Sequence, residues 1–120
     1  KLKEHHYVWH GGALPTMQHI RGTIGFVEST ADGIDPQKLL GKSLSIRLRS
    51  GGERIRPACN RPRRSLKNLL QEAFIPPWER MHVPLLFCDE KLVWVSGIGV
   101  DCEFQAGPTE LGIMPLWDPS

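Results

Sequence analysis

The sequence predicts a mostly β fold of antiparallel strands with one main α-helix around residues 65–74. Three observations lead there. Twelve glycines and ten prolines in 120 residues call for many turns and short elements. Several runs of a few residues alternate apolar and polar, or stay apolar, between turn signals. Only one stretch repeats its apolar residues at helical spacing. The length suits a single domain over residues 1–120, large enough to bury a core without staples. Apolar content of 40% and charged content of 23% are those of an ordinary globular chain.

The elements follow in chain order. His6 to His10 and Gly22 to Glu28 read as short strands, with Ile24 and Phe26 alternating with Gly25 and Val27. Ala31-Asp32-Gly33 is a turn. Asp35-Pro36 opens a single helical turn, Asp35 as N-cap and Pro36 at the first helical position. Leu44 to Arg49 alternates cleanly, Leu44, Ile46 and Leu48 on one face and Ser45, Arg47 and Arg49 on the other. Ser50-Gly51-Gly52-Glu53 then supplies a tight turn, and Arg54-Ile55-Arg56 returns as the second strand of a hairpin. That pairing places Arg47, Arg49, Arg54 and Arg56 on one face. Ser65 caps a helix whose Leu66, Leu69, Leu70 and Ala73 fall at i, i+3, i+4 and i+7. Pro76-Pro77 ends it. Val83 to Phe87 and Leu92 to Val95 form a hairpin, Ile98 to Val100 extends its second strand, and Leu111 to Trp117 closes the chain.

Charge is unevenly placed. Net charge is only +2, yet Arg47, Arg49, Arg54, Arg56, Arg61, Arg63, Arg64 and Lys67 lie within 21 positions, opposed there only by Glu53. From Met81 to Ser120 the balance reverses, with Asp89, Glu90, Asp101, Glu103, Glu110 and Asp118 against Lys91. Such polarity steers an anionic partner to one side. Arg61, Arg63 and Arg64 precede the Ser65 helix, whose free N–H groups add positive potential. Guanidinium groups bond phosphate through a planar fork. These features predict contact with a nucleic-acid backbone, although the charge pattern alone leaves a merely solvated basic face almost as good a reading. Asn68 and Gln71, on the same helix, stand as minor candidates for reaching a base edge.

Other constellations lead nowhere catalytic. His5, His6, His10 and His19 lack the partners of a zinc site. Cys59, Cys88 and Cys102 are few, odd in number and widely spaced, which predicts a reducing compartment without a disulfide framework. No dyad for nucleophilic or acid–base catalysis is present, and no metal site. No apolar run approaches the ~20 residues that span a bilayer, and no signal peptide is evident. Trp78, after Pro76-Pro77, either stacks on a base or plugs the core; the core is the preferred reading, as it is for Trp94.

The run from Arg61 through Arg80, Arg-Pro-Arg-Arg-Ser-Leu-Lys-Asn-Leu-Leu-Gln-Glu-Ala-Phe-Ile-Pro-Pro-Trp-Glu-Arg, resembles the signature of the C-terminal domain of the tRNA(Ile)-lysidine synthetase family. The preceding Arg49 to Arg56, the hairpin segments Pro84 to Phe87 and Leu92 to Gly97, and the terminal Trp117 extend the likeness over residues 44–117, with 1–43 as lead-in strands of the same domain. The resemblance implies a β-sandwich-like module, also found in the phenylalanyl-tRNA synthetase β subunit. It implies a cytoplasmic parent enzyme that uses ATP, with Mg, to adenylate the wobble cytidine of an isoleucine tRNA, after which lysine displaces AMP to give lysidine. The ATP-binding catalytic domain would lie N-terminal to this chain, which begins at Lys1 rather than Met and reads as a piece of a longer protein. The module itself would be non-catalytic and would hold the tRNA on its acceptor-stem side, beside its own catalytic domain. Its candidate tRNA-binding residues are Arg47, Arg49, Arg54, Arg56, Arg61, Arg63, Arg64, Ser65, Lys67 and Arg80. Arg80 either joins that surface or pairs with Glu79. Ser50-Gly51-Gly52-Glu53 imitates half of the family's ATP loop, but Arg54 and Ile55 stand where Asp-Ser is required. A turn is the better account. The competing reading is a protein-interaction or structural β module whose basic face meets an acidic partner.

Overall fold

A computed structural model describes residues 6–30, 33–108 and 110–119. Among these described residues ten strands form three antiparallel sheets. β1 (His6–Val8), β4 (Ser43–Arg47), β7 (Leu85–Cys88), β8 (Lys91–Val95) and β9 (Gly99–Val100) make a five-stranded sheet in the order β1-β4-β7-β8-β9. β2 (Met17–His19), β3 (Gly22–Thr30) and β10 (Leu111–Pro119) make a second, ordered β10-β3-β2. β5 (Arg54–Ile55) and β6 (Arg64–Ser65) form a two-stranded ribbon. Two helices, α1 (Leu66–Glu72) and α2 (Pro77–Arg80), and short 3-10 turns at Pro36–Lys38 and Cys102–Phe104 complete the fold.

The β7–β8 hairpin explains the architecture. Leu85-Leu86-Phe87-Cys88 and Leu92-Val93-Trp94-Val95 are continuous apolar runs, the pattern of strands covered on both faces. Leu86, Cys88, Val93 and Trp94 enter one core with Met17, Ile24 and Leu44, drawn from both larger sheets, and with Phe104 of the Cys102–Phe104 turn. Leu85, Leu92 and Val95, with Phe87 partly buried, enter a second core with Ile55, Leu66 and Leu70. Val93 and Trp94 are neighbours that serve the same core because the register shifts between Leu86 and Phe87. A bulge there sends two successive side chains to one side. The turn needs Asp89 at φ +53, a conformation that Asp tolerates better than most residues.

Local chemistry holds the predicted caps. Asp35 accepts the Gln37 N–H at 3.0 Å, with Pro36 at the first position. Ser65 Oγ accepts the Asn68 N–H at 3.2 Å. Leu66 and Leu70 are buried beneath α1, whereas Ala73, predicted on the same face, is exposed. Gly33 (φ +82) passes so close to the Ile113 carbonyl that a Cβ would meet it at 2.6 Å. Ile34 and Ile113 exchange backbone hydrogen bonds at 2.7 and 2.8 Å beside it.

The structure corrects five expectations. β4 does not pair with β5. It lies between β1 and β7, while β5 pairs with β6 through Arg54↔Ser65 and Ile55↔Arg64. The reason is burial: Ile55 is needed under α1, in the second core. Residues 98–100 do not extend β8: Ile98 lies in a turn, and Gly99–Val100 fold back on β8 as β9. Pro76-Pro77 ends α1 and also starts α2, since proline suits the first helical turn. Trp78 is 75% exposed rather than core. Cys59 and Cys102, 43 positions apart, form a disulfide with Cα atoms 5.2 Å apart. Sequence distance concealed a close approach made by Cys102 N–H to the Arg56 carbonyl (2.7 Å) and by Gln105 Nε2 to the Pro57 carbonyl (2.7 Å). The Ala31-Asp32 part of the first predicted turn, and His5, lie outside the described residues.

Candidate nucleic-acid interface

The basic residues divide into three groups. Arg54, Arg56, Arg61, Arg63 and Arg64 gather on the β5–β6 ribbon and its connecting loop. Ser65 and Lys67 continue from them into α1. Arg49 and Arg80 meet through Arg49 Nη1 and the Arg80 carbonyl at 3.4 Å. Arg47 stands apart on the five-stranded sheet, its guanidinium 4.3 Å over the Phe87 ring and paired with Glu90 at 3.2 Å. That pairing holds the Glu90 carboxyl below its usual range.

Several of these side chains hold the fold as well as carrying charge. Arg63 Nη1 donates to Asp101 Oδ1 at 2.8 Å. Asp101 is only 1% exposed, and its carboxylate also accepts the Arg56 N–H (2.8 Å) and the Glu103 N–H (3.1 Å). A buried carboxylate requires such partners. Arg54 donates to the Arg63 carbonyl at 3.0 Å, and Arg56 to the Cys59 carbonyl. Arg64 forks onto Glu72, Nη1 to Oε1 at 2.8 Å, with Nη2 bonding Oε2. The bond from Arg64 is the main cause that lowers the Glu72 pKa. Arg80 Nε donates to the Ile75 carbonyl at 2.7 Å. Arg61 and Lys67 are exposed and make no side-chain hydrogen bond among the described residues. The faces of Arg56 and Arg63 toward Asp101, and the role of Asp101 itself, are not visible in local sequence. The only hint is that Asp101 also caps the Cys102–Phe104 turn.

The Ser50–Glu53 loop is closed to phosphate. Glu53 accepts the Ser50 N–H (2.7 Å), the Ser50 hydroxyl (3.0 Å) and the Gly51 N–H (3.1 Å). Partial burial raises the Glu53 pKa, but these bonds outweigh it and leave the carboxyl below its ordinary value. The donors that an ATP phosphate would need are taken by the loop's own anion, and the loop opens no helix. The residues therefore do not fit ATP. Among the described residues no group of three or more His, Cys, Asp and Glu could hold a metal ion, and no helix is long and apolar enough to cross a membrane. Cys88 is buried, and burial pushes its thiol pKa up, the opposite of an activated nucleophile.

A ribbon and helix edged with arginine, on the flank of a two-core antiparallel β fold, define a class of basic β modules. The family profile of the TilS substrate C-terminal domain matches residues 44–117, and the chain belongs to that family. A tRNA(Ile)-lysidine synthase from Nitrosomonas europaea is 49% identical over 113 residues, covering 94% of this chain and 25% of the relative. One from Aromatoleum aromaticum is 39% identical over 98 residues, 80% of this chain and 23% of the relative. The chain thus spans about a quarter of such relatives. A crystal structure of a TilS C-terminal domain superposes with a TM-score of 0.67 over 98% of both chains at 21% identity, and so shares the fold.

Proposed function

We propose that this chain is the tRNA-holding C-terminal module of a cytoplasmic, ATP-dependent ligase that joins lysine to the wobble cytidine of an isoleucine tRNA. ATP and Mg act in the parent enzyme's catalytic domain, not here. The observation that carries the proposal is the cluster of Arg54, Arg56, Arg61, Arg63, Arg64 and Lys67 on one ribbon–loop–helix unit, with the Arg61 and Lys67 side chains exposed and making no hydrogen bond among the described residues. The names of the relatives support tRNA as the anion, and the acceptor-stem side is the face of it we propose is gripped. Arg49 and Arg80 extend the cationic edge, and Ser65 positions it by capping α1. Arg47 contributes charge from the neighbouring sheet. Arginine without a set of base-reading amides suits backbone contact.

The test is binding of an isoleucine tRNA to the 120-residue chain across a salt series. Affinity should fall with salt at a log–log slope near −0.9 for each phosphate neutralised. Arg61→Glu with Lys67→Glu should weaken binding at least about tenfold and flatten the slope by roughly two. Neither side chain makes a hydrogen bond or salt bridge among the described residues, and Arg61 acts on Glu72 only through its charge, so the variant should stay folded, as a thermal melt checks. Wild-type affinity in that variant would remove the surface from the interface.

A further inference from the structure

α1 ends at a position that no packing argument explains. Phe74 follows the helix with φ +59, where the left-handed conformation favours glycine. The Ile75 N–H returns to the Leu70 carbonyl at 3.1 Å and the Phe74 N–H to the Gln71 carbonyl at 3.1 Å, so the helix end is properly closed. Its ring is 90% exposed. The side chain is therefore costly twice, in backbone conformation and in exposed apolar surface, and it fills no core. Four residues on, Trp78 is 75% exposed. Between them Ile75 packs into the second core, Pro76 and Pro77 stiffen the link, and Arg80 Nε holds the Ile75 carbonyl. Both exposed aromatic side chains thus belong to one short segment stiffened by two prolines and anchored through Ile75.

Arginines reach that segment from distant parts of the chain. His82 Nδ1 lies 3.3 Å from the Trp78 carbonyl, and its Nε2 lies 3.2 Å from Arg21 Nη2, in the β2–β3 turn. Arg49 reaches the Arg80 carbonyl. Glu79 is the acidic residue on α2, and Glu72 is already forked by Arg64. Flat apolar faces set among arginines match a chain that is anionic along its backbone and aromatic on its bases. Bases inside a duplex are already stacked, so an exposed ring takes those that are not paired.

We propose that Phe74 and Trp78 form a stacking ledge for unpaired nucleotides next to the stem that the basic ribbon grips, with Arg21, Arg49 and Arg80 on the adjoining phosphates. The inference rests on the RNA-binding reading above and adds a recognition element for single strand at the stem's end.

Two labelled RNA hairpins test it, identical except that one carries four unpaired 3′ nucleotides. The 120-residue chain should bind the tailed hairpin at least about fivefold more tightly than the blunt one, the lower end of what one stacked base supplies. Phe74→Gly and Trp78→Ala should each reduce that preference while leaving affinity for the blunt hairpin and its salt slope in place. Phe74→Gly installs the residue this backbone favours, so unfolding cannot explain a loss. No preference for the tail in the wild type, or an unchanged preference in both variants, overturns the ledge. So does self-association of the chain that either variant abolishes without changing RNA binding, because the ledge is then a protein interface. Failure to bind either hairpin overturns the RNA-binding reading itself; sensitivity of both hairpins to Arg61→Glu with Lys67→Glu, without a tail effect, overturns the ledge alone.

Discussion

Asp101 shows how one buried charge organises a basic surface. It ties together Arg56, Arg63 and the Cys102–Phe104 turn through three hydrogen bonds. Asp101→Ala strips two backbone N–H groups and a guanidinium of their partner together, so a loss of about 3 kcal/mol is expected. Urea unfolding measures it; a loss below about 1 kcal/mol would mean that Arg63 finds water at no cost. For the same reason charge reversal at Arg63 confounds binding with folding. His19 sets a different expectation. Burial, then the charges of His82 and Arg21, lower its pKa below the ordinary 6.5, and its ring stands edge-on to Trp117 with centroids 4.9 Å apart. The unfolded chain then binds that proton more readily than the folded one. The neutral ring's contribution is complete above pH 6.5 and is lost as pH falls through the lower folded value. Thermal melts at pH 5 and pH 8 should differ less in His19→Gln than in wild type; an equal difference would assign the pH effect elsewhere.

At the scale of elements, periodicity revealed what local packing decides. The Ser65 cap, the Leu66 and Leu70 face, the Asp35-Pro36 turn and the β7–β8 hairpin were legible because each depends on neighbours a few residues apart. β2, β6 and the pairing of β5 were not. Two- and three-residue strands carry too little alternation to read, and Arg54-Ile55 follows Leu44–Arg49 so closely that a hairpin was the natural inference. What decided otherwise was the second core, which needs Ile55 beneath α1. The candidate interface divides in the same way. Arginine clustering was plain in the sequence, but which arginines are held by Asp101, Glu72 or Glu90 depends on residues up to 43 positions distant. The exposed ledge was missed because an aromatic after two prolines is ordinarily core.

For the molecule as a whole, the Cys59–Cys102 disulfide closes the Arg61 loop onto the body of the fold. In the chain-entropy account a closure of this size stabilises by about 4 kcal/mol. Reduction with dithiothreitol should therefore lower the melting temperature of the oxidised chain by about 10 °C or more, and Cys59→Ser with Cys102→Ser should match the reduced protein. An unchanged melting temperature would mean that the hydrogen bonds of Cys102 and Gln105 already confine the loop. Disulfides are uncommon in reducing compartments, so the dithiol form is the relevant comparison for the proposed cytoplasmic enzyme.

The β7–β8 hairpin, shared by two cores, has a mechanical consequence. Neither core can be loosened without uncovering one side of the same strands, so the basic ribbon and the sandwich beneath it have no seam at which to part. If the ribbon holds RNA as proposed, a pull on it passes through Ile55 and Leu70 into Leu85 and Val95, which share the second core. Under the proposed function this makes the module a handle rather than a hinge, moving with its RNA as one body.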